Sequence, residues 1–183
     1  MALCNSLDDQ QQSRPTQFSA SAWVRSARRR ASRRARYRPH MEPDVCVVWM
    51  PGDVRTEIQL HAEDTDGAFC LVVDHPPVGW SLPAHRHHNE AETIHVVQGD
   101  FEFEVDGLRS RISAGRSIHI PRGVTHSSAN IGRQTGCRVV LFSPAGMEGF
   151  FLEAGAATPD SEIDLAAVVA SATRHGWEFM SGP

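Results

Sequence analysis

The sequence of 183 residues contains no lysine, and all 18 of its basic residues are arginine. Without lysine, no lysine side chain can form a Schiff base with a carbonyl substrate. The single tyrosine, Tyr37, lies in a basic N-terminal segment, so the rest of the chain has no tyrosine to act as a proton donor. If the protein is an enzyme, its acid–base chemistry therefore depends on carboxylates and histidines.

Long hydrophobic runs and closely spaced cysteines are also missing. No run approaches the roughly eighteen consecutive apolar residues of a transmembrane helix, so we expect no membrane association. The four cysteines, Cys4, Cys46, Cys70 and Cys137, are far apart and form no Cys-x-x-Cys pair. We therefore expect free buried thiols and a cytoplasmic location.

Charge is distributed unevenly along the chain. Residues 1–40 contain nine arginines and two aspartates, a formal charge of +7, whereas the remainder contains nine arginines and 20 acidic residues, a formal charge of −11. The acidic part argues against nucleic acid as a ligand.

The basic segment of residues 1–40 has too little apolar surface to offset the entropy of ordering, so we expect a disordered extension that is dispensable for folding and activity. A nucleic-acid-binding arm, a segment like a transit peptide, and a true start of translation at Met41 are the alternatives.

From Met41 onward, short segments are separated by turn residues. Each segment is either apolar throughout or alternates between apolar and polar residues. Ten segments are predicted to be strands: 45–50, 56–60, 68–73, 84–87, 92–98, 101–105, 109–112, 117–120, 125–129 and 137–142. Asp106-Gly107 is a strong hairpin signal between two of them. Even spacing of short strands predicts an all-β fold closed as a barrel or jelly roll.

The period of the sequence changes near its C-terminus. Residues 161–176 fit a helix that starts after a cap at Asp160 or Ser161 and stops at Gly176. Its predicted packing face consists of Ile163, Ala166, Ala167 and Ala170, with Val168 and Val169 beside it. We therefore expect three parts: the extension of residues 1–40, a barrel domain of residues 41–157, and a helical tail of residues 158–183 packed on the barrel.

The histidines of the central region indicate a metal site. His85 and His87 are two residues apart, so on a strand both side chains point to the same face, whereas a helix would separate them by about 200°. With Glu92 and His126 they form a set of three imidazoles and one carboxylate, which is a complete ligand shell for a divalent transition metal. Fe, Mn, Ni, Co, Cu and Zn all suit these ligands, and the sequence does not choose among them.

The two segments that carry these residues resemble the two motifs of the cupin superfamily. The first motif is Gly, five residues, His-x-His, four residues, Glu, six residues and Gly, as found from Gly79 to Gly99. The second is Gly, five residues, Pro-x-Gly, two residues, His, three residues and Asn, as found from Gly115 to Asn130. Both segments match at every fixed position, over a resemblance that covers residues 45–155.

The resemblance implies a single small antiparallel β-barrel that holds a metal through His85, His87, Glu92 and His126. By resemblance only, it also implies a homodimer. Residues 64–73 and 143–155 look like small single-domain bacterial cupins often described as quercetin-dioxygenase-like. That description rests largely on shared fold and settles no substrate.

Strand alternation sorts the remaining histidines of the region. If Glu92 points into the barrel, His95 points out of it, and His88 faces away from His87. His119 lies between two isoleucines, and the alternation leaves open whether it lines the pocket.

Three functions are compatible with these features. The first is a metal-dependent dioxygenase for a small apolar or aromatic molecule, in which Glu92 accepts the proton of an enol or phenol. The second is a metal-dependent isomerase, lyase or cyclase, and the third is a non-catalytic module that binds a small molecule. Dependence on oxygen separates the first from the second, and turnover separates both from the third.

Overall fold

The alternating segments of the sequence form antiparallel strands in a computed structural model, which describes residues 45–180. The predicted extension of residues 1–40 lies outside the described residues. The strands are β1 (Cys46–Met50), β2 (Val54–Leu60), β3 (Cys70–His75), β4 (Ser81–His87), β5 (Ala91–Gln98), β6 (Asp100–Val105), β7 (Leu108–Ser113), β8 (Ser117–Ile120), β9 (His126–Asn130), β10 (Cys137–Ser143) and β11 (Trp177–Phe179). The helices are α1 (Met147–Ala154) and α2 (Leu165–Arg174).

The strands belong to two sheets that share one core. The first sheet has the order β1-β2-β3-β10-β5-β8, and the second has the order β11-β4-β9-β6-β7. Strands that are neighbours in a sheet are often distant in sequence. This is typical of a jelly roll, in which the chain passes repeatedly from one sheet to the other. The predicted all-β jelly-roll barrel with a C-terminal helix is therefore confirmed.

Alternation along the strands places the apolar side chains inside. On β5, Glu92, Ile94 and Val96 are buried, whereas His95 and Val97 are exposed. Inward residues of β6 and β10 complete the same core, including Phe101, Phe103, Val140 and Phe142. The inner face of β5 thus continues directly from core residues to Glu92.

The predicted hairpin at Asp106-Gly107 joins β6 to β7. Both residues have positive φ, 50° for Asp106 and 76° for Gly107, which is the requirement of a two-residue type I′ turn. This turn fixes the register of β6 against β7, in which Val105 lies opposite Leu108.

The C-terminal helix is shorter than predicted and buries a different face. Asp164 caps α2 by accepting hydrogen bonds from the backbone N–H groups of Ala166 and Ala167. The buried residues of α2 are Val168, Ser171 and Ala172, so the predicted face of Ile163, Ala166, Ala167 and Ala170 was wrong. The reason is that α2 packs against α1 and β11, and neither of those elements was predicted.

Gly176 follows α2 with a φ of +83°, and this left-handed residue ends the helix as expected. Within residues 45–180, neither helix has the length and hydropathy needed to cross a membrane. The three cysteines of this region are free thiols, as predicted, but only Cys70 is buried, whereas Cys46 and Cys137 are partly exposed.

Candidate metal centre

Four residues from three strands converge inside the barrel. His85 and His87 lie on β4, Glu92 lies on β5, and His126 lies at the start of β9. All four are buried, and one potential ligand atom from each lies within 4.8 Å of the others. The structure thus brings together the set of residues that the sequence predicted.

Local backbone geometry aims these side chains inward. His85 and His87 share a face of β4, while Arg86 between them points outward and pairs with Glu178. β4 pairs with β9 so that His85 lies directly opposite His126. The turn before β9 is anchored on the same strand, because the Gly123 N–H donates to the His87 carbonyl at 2.8 Å.

Backbone carbonyls fix the tautomers of two of the histidines. His85 Nδ1 lies 2.8 Å from the Pro83 carbonyl oxygen, and His126 Nδ1 lies 3.0 Å from the Val124 carbonyl oxygen. A carbonyl oxygen only accepts hydrogen bonds, so Nδ1 carries the proton in both rings. In the neutral form of each ring the Nε2 lone pair is therefore left for the centre of the cluster, which is the usual arrangement of metal-binding histidines.

Several buried nitrogen atoms of the cluster have no hydrogen-bond partner among the described residues. They are His85 Nε2 and both ring nitrogens of His87. An unsatisfied buried polar atom costs about 1–3 kcal/mol. Coordination would satisfy a nitrogen lone pair in each ring, and three nitrogens with one carboxylate suit a divalent transition metal. The cluster can therefore hold a metal ion.

The electrostatics of the cluster favour an ionised Glu92, a neutral His85 and a protonated His126. Burial alone would raise the pKa of Glu92, but a 3.0 Å hydrogen bond to His126 and the nearby His87 ring hold that pKa well below its usual value. Burial, followed by the neighbouring His126 and His87 rings, lowers the pKa of His85 to about 3. Burial lowers the pKa of His126, yet its bond to Glu92 outweighs burial and raises that pKa.

An aromatic layer supports the cluster from behind. The Trp177 ring of β11 stacks on His85 with centroids 4.7 Å apart, and it meets His87 edge-on at 4.5 Å. The Trp177 indole N–H donates to the sulfur of Met147 at 2.7 Å. These contacts leave the imidazole rings little freedom to rotate.

A cavity of about 320 Å³ adjoins the cluster through Glu92. Its wall is largely apolar, and its aromatic members are Trp80, Phe142, Phe150, Phe151, Trp177 and Phe179. Glu92 is therefore both a member of the cluster and part of the cavity wall. A molecule in the cavity can reach this carboxylate.

The other histidines lie away from the cluster. His95 is exposed and bonds to Ser117, and His88 bonds to Glu178 on the surface, as predicted. His119, which the sequence left open, is exposed and bonds to Thr93 on the outer face of the sheet. It does not line the cavity.

The sequence interpretation missed two charged residues of the cavity wall, Asp74 and Arg138. Arg138 alternates in phase with Val140 and Phe142 on β10, and it is only 4% exposed. A charged residue at an inward position of an apolar strand is the signal that could have identified it.

Comparisons with known proteins agree with the fold. The family described as Cupin domain matches residues 71–143. Quercetin 2,3-dioxygenase of Bacillus subtilis (strain 168) is 28% identical over 78 residues, which are 43% of this chain and 23% of that protein. Polyketide synthase CurC of Streptomyces cyaneus is 29% identical over 94 residues, which are 51% of this chain and 60% of that protein.

The fold is shared with a solved RmlC-like cupin from Shewanella frigidimarina. The TM-score is 0.52 at 21% identity, and the match covers 61% of this chain and 96% of that one. By contrast, the match spans less than a quarter of the Bacillus dioxygenase and about three fifths of the Streptomyces protein.

Proposed function

We propose that this chain, which has a cupin fold and matches the Cupin domain family over residues 71–143, is a metal-dependent dioxygenase acting on a small aromatic molecule. One observation carries the proposal: Glu92 belongs to the His/Glu cluster that could hold a metal, and it also lines the aromatic cavity. The similarity to a quercetin 2,3-dioxygenase supports the reaction type.

His85, His87, Glu92 and His126 would hold one Fe, Mn, Ni, Co, Cu or Zn ion. When bound, the ion acts as a Lewis acid that favours the ionised form of an enol or phenol oxygen. The chain's residues supply the remaining functions. The apolar wall excludes water and orients the ring of the substrate by stacking.

Glu92 accepts the proton that the enol or phenol loses. It is an ionised carboxylate at neutral pH because its pKa lies well below the usual value. Among the described residues, Asp74 is the other carboxylate on the cavity wall, and it is already paired with Arg138. Both atoms of dioxygen would enter the substrate, which itself supplies the electrons, so no separate reductant is needed.

The test is oxygen uptake by the full-length protein loaded in turn with each of the six metals. Quercetin and simple phenols are the trial substrates. Glu92→Gln should lower turnover about a hundredfold or more, since a positioned general base contributes about 10²–10⁴-fold. It should keep part of its metal, because three histidine ligands remain.

The matched control for this variant is Glu102→Gln, which changes a carboxylate on the solvent side of β6. It should leave oxygen uptake and metal content unchanged. Full activity in Glu92→Gln would contradict the role of this carboxylate.

The second candidate is a metal-dependent cyclase, isomerase or lyase. A second curated relative, polyketide synthase CurC, is not named as an oxygenase, and its match covers more of both chains than the match to the dioxygenase, so a reaction without oxidation is the alternative. The same cavity and carboxylate would then transfer a proton without oxidation. Turnover that proceeds at an equal rate under nitrogen would support this reaction and exclude the dioxygenase.

A further inference from the structure

We propose that Arg138, held in place by Asp74, binds a phenol or carbonyl oxygen at the end of the substrate remote from the metal cluster. The cavity would then select flat aromatic molecules that carry oxygen at both ends. The inference deepens the proposed function and rests on it only for the end near Glu92.

Strand β10 sets the distance between the two ends of the cavity. Its inward residues Phe142, Val140 and Arg138 all contribute to the cavity wall. Phe142 lies opposite Glu92 of β5, whereas Arg138 lies opposite Val96. Four residues of strand at about 3.3 Å each place the Cα atoms of Phe142 and Arg138 about 13 Å apart. Arg138 therefore marks the end far from the cluster.

The guanidinium of Arg138 is rigidly fixed. Its Nε and Nη2 donate to the two carboxylate oxygens of Asp74 at 2.9 and 2.5 Å, and Nη1 donates to the Ser128 hydroxyl at 3.2 Å. Its central carbon lies 4.8 Å from the centre of the Trp80 ring and 4.9 Å from that of Phe101. The cation is thus both paired and held between two aromatic rings.

Hydrogen-bonding capacity remains on this guanidinium. An arginine carries five N–H donors, and three of them serve Asp74 and Ser128. The remaining N–H groups belong to the nitrogens Nη1 and Nη2. A preorganised planar donor with unused N–H groups in an apolar cavity is suited to bind an oxygen acceptor.

A role in stabilising the fold alone explains the positions of Asp74 and Arg138 less well than a role in binding a ligand. Asp74 and Arg138 lie directly opposite each other on β3 and β10, but a buried ion pair seldom stabilises a fold more than apolar residues of similar size. The ion pair of Arg86 with Glu178 lies on the surface instead. Placement of a costly pair on the cavity wall indicates a role toward a ligand.

The charges of the cavity wall limit which substrate group can bind at Arg138. Asp74 already neutralises the charge of Arg138, so the distal end has no net positive charge to attract an anion. A neutral phenol or carbonyl oxygen fits better. Trp80 near Arg138 and Trp177 near the cluster favour a flat ring system between the two ends.

The test compares quercetin with flavonol, its parent compound, which has the same enol and ketone but lacks the hydroxyl groups of the outer rings. Binding to the full-length metal-loaded protein is measured under nitrogen by quenching of tryptophan fluorescence. The wild type should bind quercetin at least about tenfold more tightly, because a hydrogen bond to a charged donor is worth that much or more.

The key variant is the double substitution Arg138→Gln with Asp74→Asn, which removes both charges and avoids a buried unpaired one. Its preference for quercetin should fall below about threefold, while its metal content stays at the wild-type level. Arg138→Lys, which keeps the charge and loses the planar fork, should show an intermediate preference.

Three results would overturn the inference: no binding of either compound, equal affinity of the wild type for both, or a preference that survives the double substitution. If the ion pair only maintained the packing of the wall, the double substitution would weaken the binding of both compounds equally. The ratio of their affinities would then stay at the wild-type value, which is the third of these results. Oxygen uptake plays no part in the measurement, so absence of dioxygenase activity would not affect its outcome.

Discussion

At the scale of single residues, the cluster is arranged for ligation by contacts within its own strands. His85 and His126 each direct Nδ1 at the carbonyl two residues earlier in the chain, Pro83 and Val124 respectively. Each imidazole is therefore oriented locally, before any contact between strands. The proton at issue on metal binding is the one shared by His126 and Glu92, whose nearest atoms are 3.0 Å apart.

Metal affinity should rise with pH because of this shared proton. The pKa of His126 is raised, chiefly by Glu92 acting against burial, so the imidazolium persists above the usual value of about 6.5. A metal needs the neutral ring and must displace the proton. Below the His126 pKa, affinity should fall about tenfold per pH unit. His85, with a pKa of about 3, stays neutral over this range and does not contribute to the pH dependence of metal affinity.

Isothermal titration of Zn(II) between about pH 6 and pH 8, in buffers of different ionisation enthalpy, measures both the affinity and the proton released. His119→Gln, which alters an exposed histidine on the outer face, should leave the profile unchanged. An affinity that does not vary with pH, with no proton released, would contradict the pairing of His126 with Glu92.

At the scale of elements, the strand that supports the cluster is the one that the sequence did not indicate. β11 has three residues, too few to show an alternating pattern, and it pairs with β4 so that Trp177 lies opposite His87 and Phe179 opposite His85. The helix α1 was missed as well, because Gly149 interrupts an already short apolar segment. By contrast, the longer alternating strands β5 and β10 were found within one residue of their ends.

Trp177→Ala should weaken both folding and metal binding. The ring is 7% exposed and contacts His85, His87 and Met147, so its removal should cost about 3–5 kcal/mol of unfolding free energy. Metal affinity should fall because two ligand rings lose the surface that orients them. Urea denaturation and metal titration measure the two effects.

Trp177→Phe is the comparison variant for this experiment. It keeps an aromatic ring behind the histidines and loses the indole N–H bond to Met147, so its losses should be smaller. Stability and metal affinity of the wild-type level in Trp177→Ala would show that β11 does not support the cluster.

At the scale of the whole molecule, the sequence predicted the residues of the cluster more completely than the residues of the cavity. The four cluster residues fall within two short motifs, and the parity of β4 and β5 alone separates His85 and His87 from His88 and His95. Asp74 and Arg138 are 64 residues apart, and only the pairing of β3 with β10 brings them together. The alternation of residues along β10 could have identified Arg138 as an inward charged residue, but it could not have identified Asp74 as its partner.

The packing face of the C-terminal helix was predicted wrongly for the same reason, because contacts between elements distant in sequence decide it. A helix pattern gives the spacing of apolar residues, and small residues such as Ala166 and Ala170 leave the packing face ambiguous. The contacts with α1 and β11 decide it, burying Val168 and Ala172. The homodimer and the cytoplasmic location stay predictions.

The central claim is that the cluster binds one transition metal beside the cavity, and metal content tests it most directly. Elemental analysis should be made on the full-length protein after metal loading and dialysis, for the wild type, His126→Ala and His95→Ala. His95 is the matched control because it lies on the outer face of β5 and bonds only to Ser117 among the described residues.

The wild type and His95→Ala should each retain about one metal ion per chain, and His126→Ala should retain markedly less, because the cluster loses one of its three imidazole ligands. Circular dichroism establishes that all three proteins are folded. A folded wild type that retains no metal, or a His126→Ala variant that retains as much as the wild type, would contradict the account.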